Sequence, residues 1–146
     1  MLAFEARWVR IILASFAPVA GPALSPCEGE VDYEATFAGM RASAGPLARL
    51  GMRLALWLVA LAPMWYARRR GTMSNQPLAV RQALLAALLD HRAYAVRESA
   101  LMLKLAASVA LFASDAVRAR SDYDGVVPAN DAAPEVPVTR LRRSAS

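Results

Sequence analysis

From Ala100 to Ala113 the chain runs fourteen residues with a single charge, Lys104, and apolar residues fall on every side of a helical projection. A helix that is hydrophobic all round belongs in the middle of a bundle or against a partner. Burying Leu101, Leu105, Val109 and Phe112 contributes roughly 1.5–3 kcal/mol for each side chain, or around 6–12 kcal/mol together. A typical domain has a net stability of only about 5–15 kcal/mol, so the sequence predicts that all four are covered. The rest of the chain has to be arranged around that helix.

Composition fixes the kind of element available for this. Alanine (32) and leucine (19) dominate, while Val, Ile and Thr together number 17. Ala and Leu lose little freedom in a helix, whereas β-branched residues favour strands. The expected fold is all-α: a compact bundle of about five helices, in one domain, since 146 residues are too few for two comfortable ones. Disorder is excluded for the chain as a whole by 57% hydrophobic and 20% charged residues. A mean hydropathy of +0.30 leans toward a membrane or an apolar interface.

Helical spacing of Phe4, Trp8, Ile11, Ile12 and Phe16 predicts a first helix with these residues inward and Glu5, Arg7 and Arg10 on the other side. Pro18, Gly21, Pro22 and Pro26 break it, so it ends near Ala17. An export signal is the competing reading, because Arg7 and Arg10 precede an apolar stretch. Against that stand Pro18, Gly21 and Pro22 within the stretch, and Glu5 and Trp8 before it. A short helix over Val31–Ala44 follows four acids, Glu28, Glu30, Asp32 and Glu34, which suit the positive end of a helix dipole. Pro46 is placed to start the next helix. Ser74 or Asn75 is placed to cap the one after it, in which Leu78, Leu84, Leu85, Leu88 and Leu89 form an apolar side. A last short helical turn, capped by Ser114 or Asp115, closes at Asp124-Gly125. Residues 1–125 thus read as a helical domain and 126–146, with Pro128, Pro134 and Pro137, as a disordered or extended tail.

The run from Leu54 to Ala67 lacks charge but is fourteen residues long, short of the roughly 20 that span a bilayer, and Pro63 interrupts it. A transmembrane span is not expected. Two readings stay open for Trp57, Trp65 and Tyr66 with Arg68, Arg69 and Arg70. One is a buried helix followed by a solvated basic turn. The other is contact with a partner or a lipid headgroup layer, where amphipathic aromatics beside arginines are at home. Three arginines make no extended basic stripe, so nucleic acid is not an expected partner.

No catalytic, cofactor-binding or metal-binding residue stands out. Cys27 and His91 are single residues in different segments, without the partners of a triad or a zinc site. His91 reads as a surface or capping residue. The acids at 28–34 read as solvated and capping groups, because no histidine or second carboxylate cluster supports a metal.

One motif carries a family likeness. The succession PLAVRQALLAALLDH, SALMLKLAASVALF and SDAVRARSDYDG, from Gln76 to Gly125, resembles the gluconate 2-dehydrogenase subunit 3 family. That family comprises the small helical subunits of flavin-dependent gluconate and glucose dehydrogenases. The stretch is also similar to the helical segment preceding the flavin domain of long-chain alcohol oxidases, and the N-terminal FEARWVRIILASFAP extends the likeness to about 120 residues. The resemblance implies a non-catalytic accessory subunit, with FAD and the catalytic base on a large flavoprotein partner of the glucose–methanol–choline (GMC) superfamily acting on an alcohol, sugar or sterol. It makes Arg118, Tyr123 and Asp124, in the terminal motif, the candidate partner contacts; the local alternative is that Asp124 caps its own turn and Tyr123 packs under the last helix. Exported small subunits of that family carry a twin-arginine signal, and the start of this sequence has no arginine pair. The expected location is therefore cytoplasmic or peripheral on the inner membrane. The alternative function is that of a peripheral membrane protein with no enzyme partner, anchored by Leu54–Tyr66 and Arg68–Arg70.

Overall fold

The computed structural model describes residues 2–17, 26–27 and 29–120. The expectations for Glu28, Tyr123, Asp124 and the tail 126–146 lie outside these. Among the described residues there are seven α-helices, one 3-10 turn and no strand. Five helices are long: α1 (Ala3–Ala14), α2 (Tyr33–Ser43), α3 (Pro46–Ala60), α5 (Leu78–Leu89) and α6 (Tyr94–Ala113). Two are short: α4 (Ala62–Trp65) and α7 (Asp115–Arg120), and the 3-10 turn covers Met73–Asn75. The all-α bundle is as the composition requires.

Each boundary has a local cause. Asp32 caps α2, its Oδ1 accepting the Ala35 N–H at 2.8 Å. Pro46 opens α3, where its missing N–H costs nothing. The interruption expected at Pro63 is there: α3 stops at Leu61, because Pro63 cannot donate to the ladder, and the chain restarts as the single turn α4. Ser74 and Asn75 do not cap α5; they sit in the 3-10 turn, and Pro77 occupies the cap position without a side-chain bond. Ser114 stands at the start of α7, its carbonyl accepting the Arg118 N–H at 3.0 Å, and its hydroxyl donates to the Glu30 carbonyl 2.9 Å away, tying the start of α7 to the segment before α2.

The core is a single cluster in which α6 is the spine, with α1, α2, α3 and α5 against one side of it and α7 against its end. Ala100, Leu103, Ala106, Ala107, Ala110 and Leu111 are the buried residues of α6. The expectation for its large side chains fails here: Leu101 is 39% exposed, Leu105 57%, Val109 49% and Phe112 48%. At 3.6 residues per turn these four share the face opposite the alanines. Alanine lets a neighbouring backbone come closest, so the other described helices crowd the alanine face and leave Leu101, Leu105 and Val109 outside the core.

Helix α1 is rotated by about one residue relative to expectation. Glu5 is buried, with Val9, Ile12 and Leu13, while Phe4 is exposed and Trp8, Ile11 and Phe16 are half-buried. In α5 it is Leu84, Leu85 and Leu88 that are buried; Leu78 is exposed. No helix among the described residues is long and apolar enough to cross a membrane.

Candidate functional site

Two surfaces collect side chains that the fold leaves unused. The first is the outward side of α6, with Leu101, Leu105 and Val109 in a row, and the corresponding side of α3. There Leu47, Leu50 and Leu54, spaced by three and four residues, are 83%, 54% and 60% exposed. Their helix buries Met52, Ala55, Leu56, Val59 and Ala60 on its other side. Each helix is therefore apolar on both faces, and the described residues cover one of them.

The second surface is the end of the molecule formed by α4, the turn after it and the corner between α5 and α6. Met64, Trp65 and Tyr66 are all exposed by more than 40%. Trp65 and Tyr66 meet edge to face at 5.8 Å between ring centroids, and His91 from the α5–α6 corner meets them at 6.2 and 5.7 Å. His91 also closes its own corner, Nδ1 accepting the Ala93 N–H at 3.1 Å. Trp65 Nε1–H donates to the Leu58 carbonyl at 3.0 Å. Beyond Tyr66 the backbone of Arg68 turns through φ 51°, and the Arg69 N–H bonds back to the Pro63 carbonyl at 2.7 Å. Arg68, Arg69 and Arg70 are exposed, as is Arg92 beside His91.

Trp57 belongs to neither surface. It stacks edge to face with Phe4 at 5.7 Å and Trp8 at 5.5 Å, and its Nε1–H donates to Glu5 Oε1 at 2.9 Å. Glu5 Oε1 also takes the Arg53 Nε–H at 2.7 Å, and Oε2 takes the Leu2 N–H at 2.9 Å. Seven residues and a broken helix separate Trp57 from Trp65, so the structure does not bring these two expected contact residues together. Of the terminal trio, Arg118 lies on α7 with Asp115 at 3.6 Å; Tyr123 and Asp124 are outside the described residues.

The acids near the start of α2 have structural partners. Glu30 receives Arg120 through two hydrogen bonds, 2.9 and 2.6 Å, and the Cys27 N–H at 2.7 Å. Glu34 faces Arg10 at 3.8 Å and Asp32 caps its helix. Among the described residues no three His, Cys, Asp or Glu side chains come together as a metal group.

Leu47, Leu50, Met64 and Arg92 are surface residues that sequence reasoning did not single out. Leu47 and Leu50 had a signal, a helical repeat on the side away from Met52 and Leu56. Arg92 had none, since only the chain's return at the α5–α6 corner puts His91 beside Trp65. No protein-family model, curated protein or solved structure matches the chain.

Proposed function

We propose that this chain is a non-catalytic helical subunit that docks onto a larger FAD-dependent oxidoreductase of the GMC type, acting on an alcohol, sugar or sterol. The observation that carries the docking is the open outer face of α6, where Leu101, Leu105 and Val109 stand 39–57% exposed in a row. Contiguous exposed apolar surface on a small domain marks an interaction site. The leucines on the outer side of α3 add to it. The resemblance of Gln76–Gly125 to the small subunits of such enzymes supplies the class of partner, with flavin and catalytic base on that partner. The complex is cytoplasmic or peripheral on the inner membrane in this reading.

The test is a pull-down of the tagged full chain from its native host, with a visible spectrum of the eluate. The expected result is a larger protein in fixed stoichiometry, carrying the yellow absorbance of bound flavin. Leu105→Glu, which would bury a charge at the centre of the contact, lowers recovery at least about tenfold. A colourless eluate, or recovery unchanged in both Leu101→Glu and Leu105→Glu, sinks the reading.

A further inference from the structure

We propose that the end of the molecule built from α4, the Arg68–Arg70 turn and the α5–α6 corner is a docking surface for a membrane rich in anionic lipid. Among the described residues, most arginines elsewhere have work within the fold. Arg10, Arg53, Arg97, Arg118 and Arg120 pair with carboxylates, and Arg49 and Arg81 donate to the carbonyls that end α2 and α1. Arg68, Arg69, Arg70 and Arg92 form no ion pair among the described residues and are all exposed. Asp90 is the acid nearest in sequence to this end, so positive charge predominates there. Clustered cationic side chains at a membrane surface are attracted by the negative potential of anionic headgroups.

The apolar part of the surface favours lipid over a nucleic acid. Met64 offers an exposed thioether chain, which suits acyl chains and not bases. Trp65 and Tyr66 stand edge to face with one another and with His91, so they do not present parallel open faces between which bases would stack. The indole N–H of Trp65 is already given to the Leu58 carbonyl. Its ring can enter the boundary between headgroups and acyl chains without leaving a donor unsatisfied there.

The backbone adds an independent detail. Arg68 sits in the left-handed region, which is disfavoured for a residue with a Cβ, whereas the comparable position three residues on is filled by Gly71 at φ 88°. Keeping arginine at that turn makes three exposed guanidiniums issue from one short stretch next to Trp65 and Tyr66.

This proposal does not rest on the enzyme-partner reading, because it uses none of the α6 outer row, and the two fail separately. The experiment is flotation of the full chain with phosphatidylcholine vesicles, with and without one third phosphatidylglycerol. Binding is expected only with phosphatidylglycerol, and is lost in about 1 M salt, where charges are screened beyond about 3 Å. Replacing Arg68, Arg69 and Arg70 together by Gln weakens it on the order of 100-fold. The fluorescence shift on adding anionic vesicles disappears in Trp65→Phe, with Trp8 and Trp57 remaining to report the fold. Leu105→Glu floats like the parent chain. If the triple variant loses its helical circular dichroism, Arg92→Glu and Trp65→Phe carry the test instead. Equal binding to both vesicles, no flotation, loss of binding in Leu105→Glu, or retention on RNA but not on vesicles each overturns the proposal.

Discussion

Burial alone would push the Glu5 carboxyl above its usual value near 4.5, but hydrogen bonds from the Leu2 N–H, Trp57 and Arg53, with the Arg53 charge, hold it at about 2. A carboxylate whose folded value lies below its unfolded one stabilises the fold above the unfolded value. That contribution is lost as the pH falls through the folded value. The stabilisation is therefore full near neutrality, amounts to about 3 kcal/mol at most, and drains away between about pH 5 and pH 2. Glu5→Gln keeps an acceptor but loses the charge, and is expected to cost about 1–3 kcal/mol at pH 7. Urea unfolding of both proteins across the acid range checks this: the gap narrows as the pH drops. A gap independent of pH would mean that Glu5 acts through packing alone. The residue also shows where sequence reasoning stops. Spacing placed Glu5 on the wet side of α1, since a carboxylate is normally wet. Its three donors come from the helix start and from a helix some fifty residues on, where no local pattern reveals them.

The existence of the helices was legible in the sequence where their orientation was not. Pro46, Pro63, the acids before α2 and the alanine-leucine content mark the long helices to within a few residues. Which face turns inward was hidden in α6, because both faces are apolar and a count of hydrophobicity ranks leucine over alanine. Close approach reverses that ranking. Ala107 is 1% exposed in the face that α3 and its neighbours crowd. Ala107→Leu should therefore destabilise by about 1–3 kcal/mol through overpacking. Leu105→Glu on the opposite face should change the stability of the isolated chain by less than about 0.5 kcal/mol. Thermal unfolding of the two variants separates these outcomes; equal losses would mean that the outer row is packed in solution. The candidate membrane surface was half legible for the same kind of reason. Trp65, Tyr66 and Arg68–Arg70 are neighbours in sequence, whereas the α5–α6 corner arrives from some twenty-five residues away, and Trp57 packs instead against Phe4, Trp8 and Glu5 of α1.

The whole molecule is closed by contacts between segments far apart in the chain. Glu30 holds Arg120 across ninety residues, and Ser114 reaches the Glu30 carbonyl across eighty-four. The Arg120 guanidinium, then the Cys27 N–H, keep the Glu30 carboxyl below the usual carboxylate range, so this clasp is present above the unfolded value and is lost on acidification. Both side chains are partly in water. Glu30→Gln should accordingly release α7 without unfolding the bundle, and amide hydrogen exchange should quicken in residues 115–120 while α6 stays protected. Unaltered exchange in α7 would remove the clasp from the account. The spine position of α6 has a further consequence during synthesis. Helices α1, α2 and α3 are translated first and pack on one another, yet each also packs against α6. More than fifty residues separate the end of α3 from the end of α6, and at roughly 5–20 residues per second the ribosome takes about 3–10 seconds to make them. For that interval the nascent chain has three finished helices with only one another for cover, and the faces that α6 will close stay open to water until it emerges.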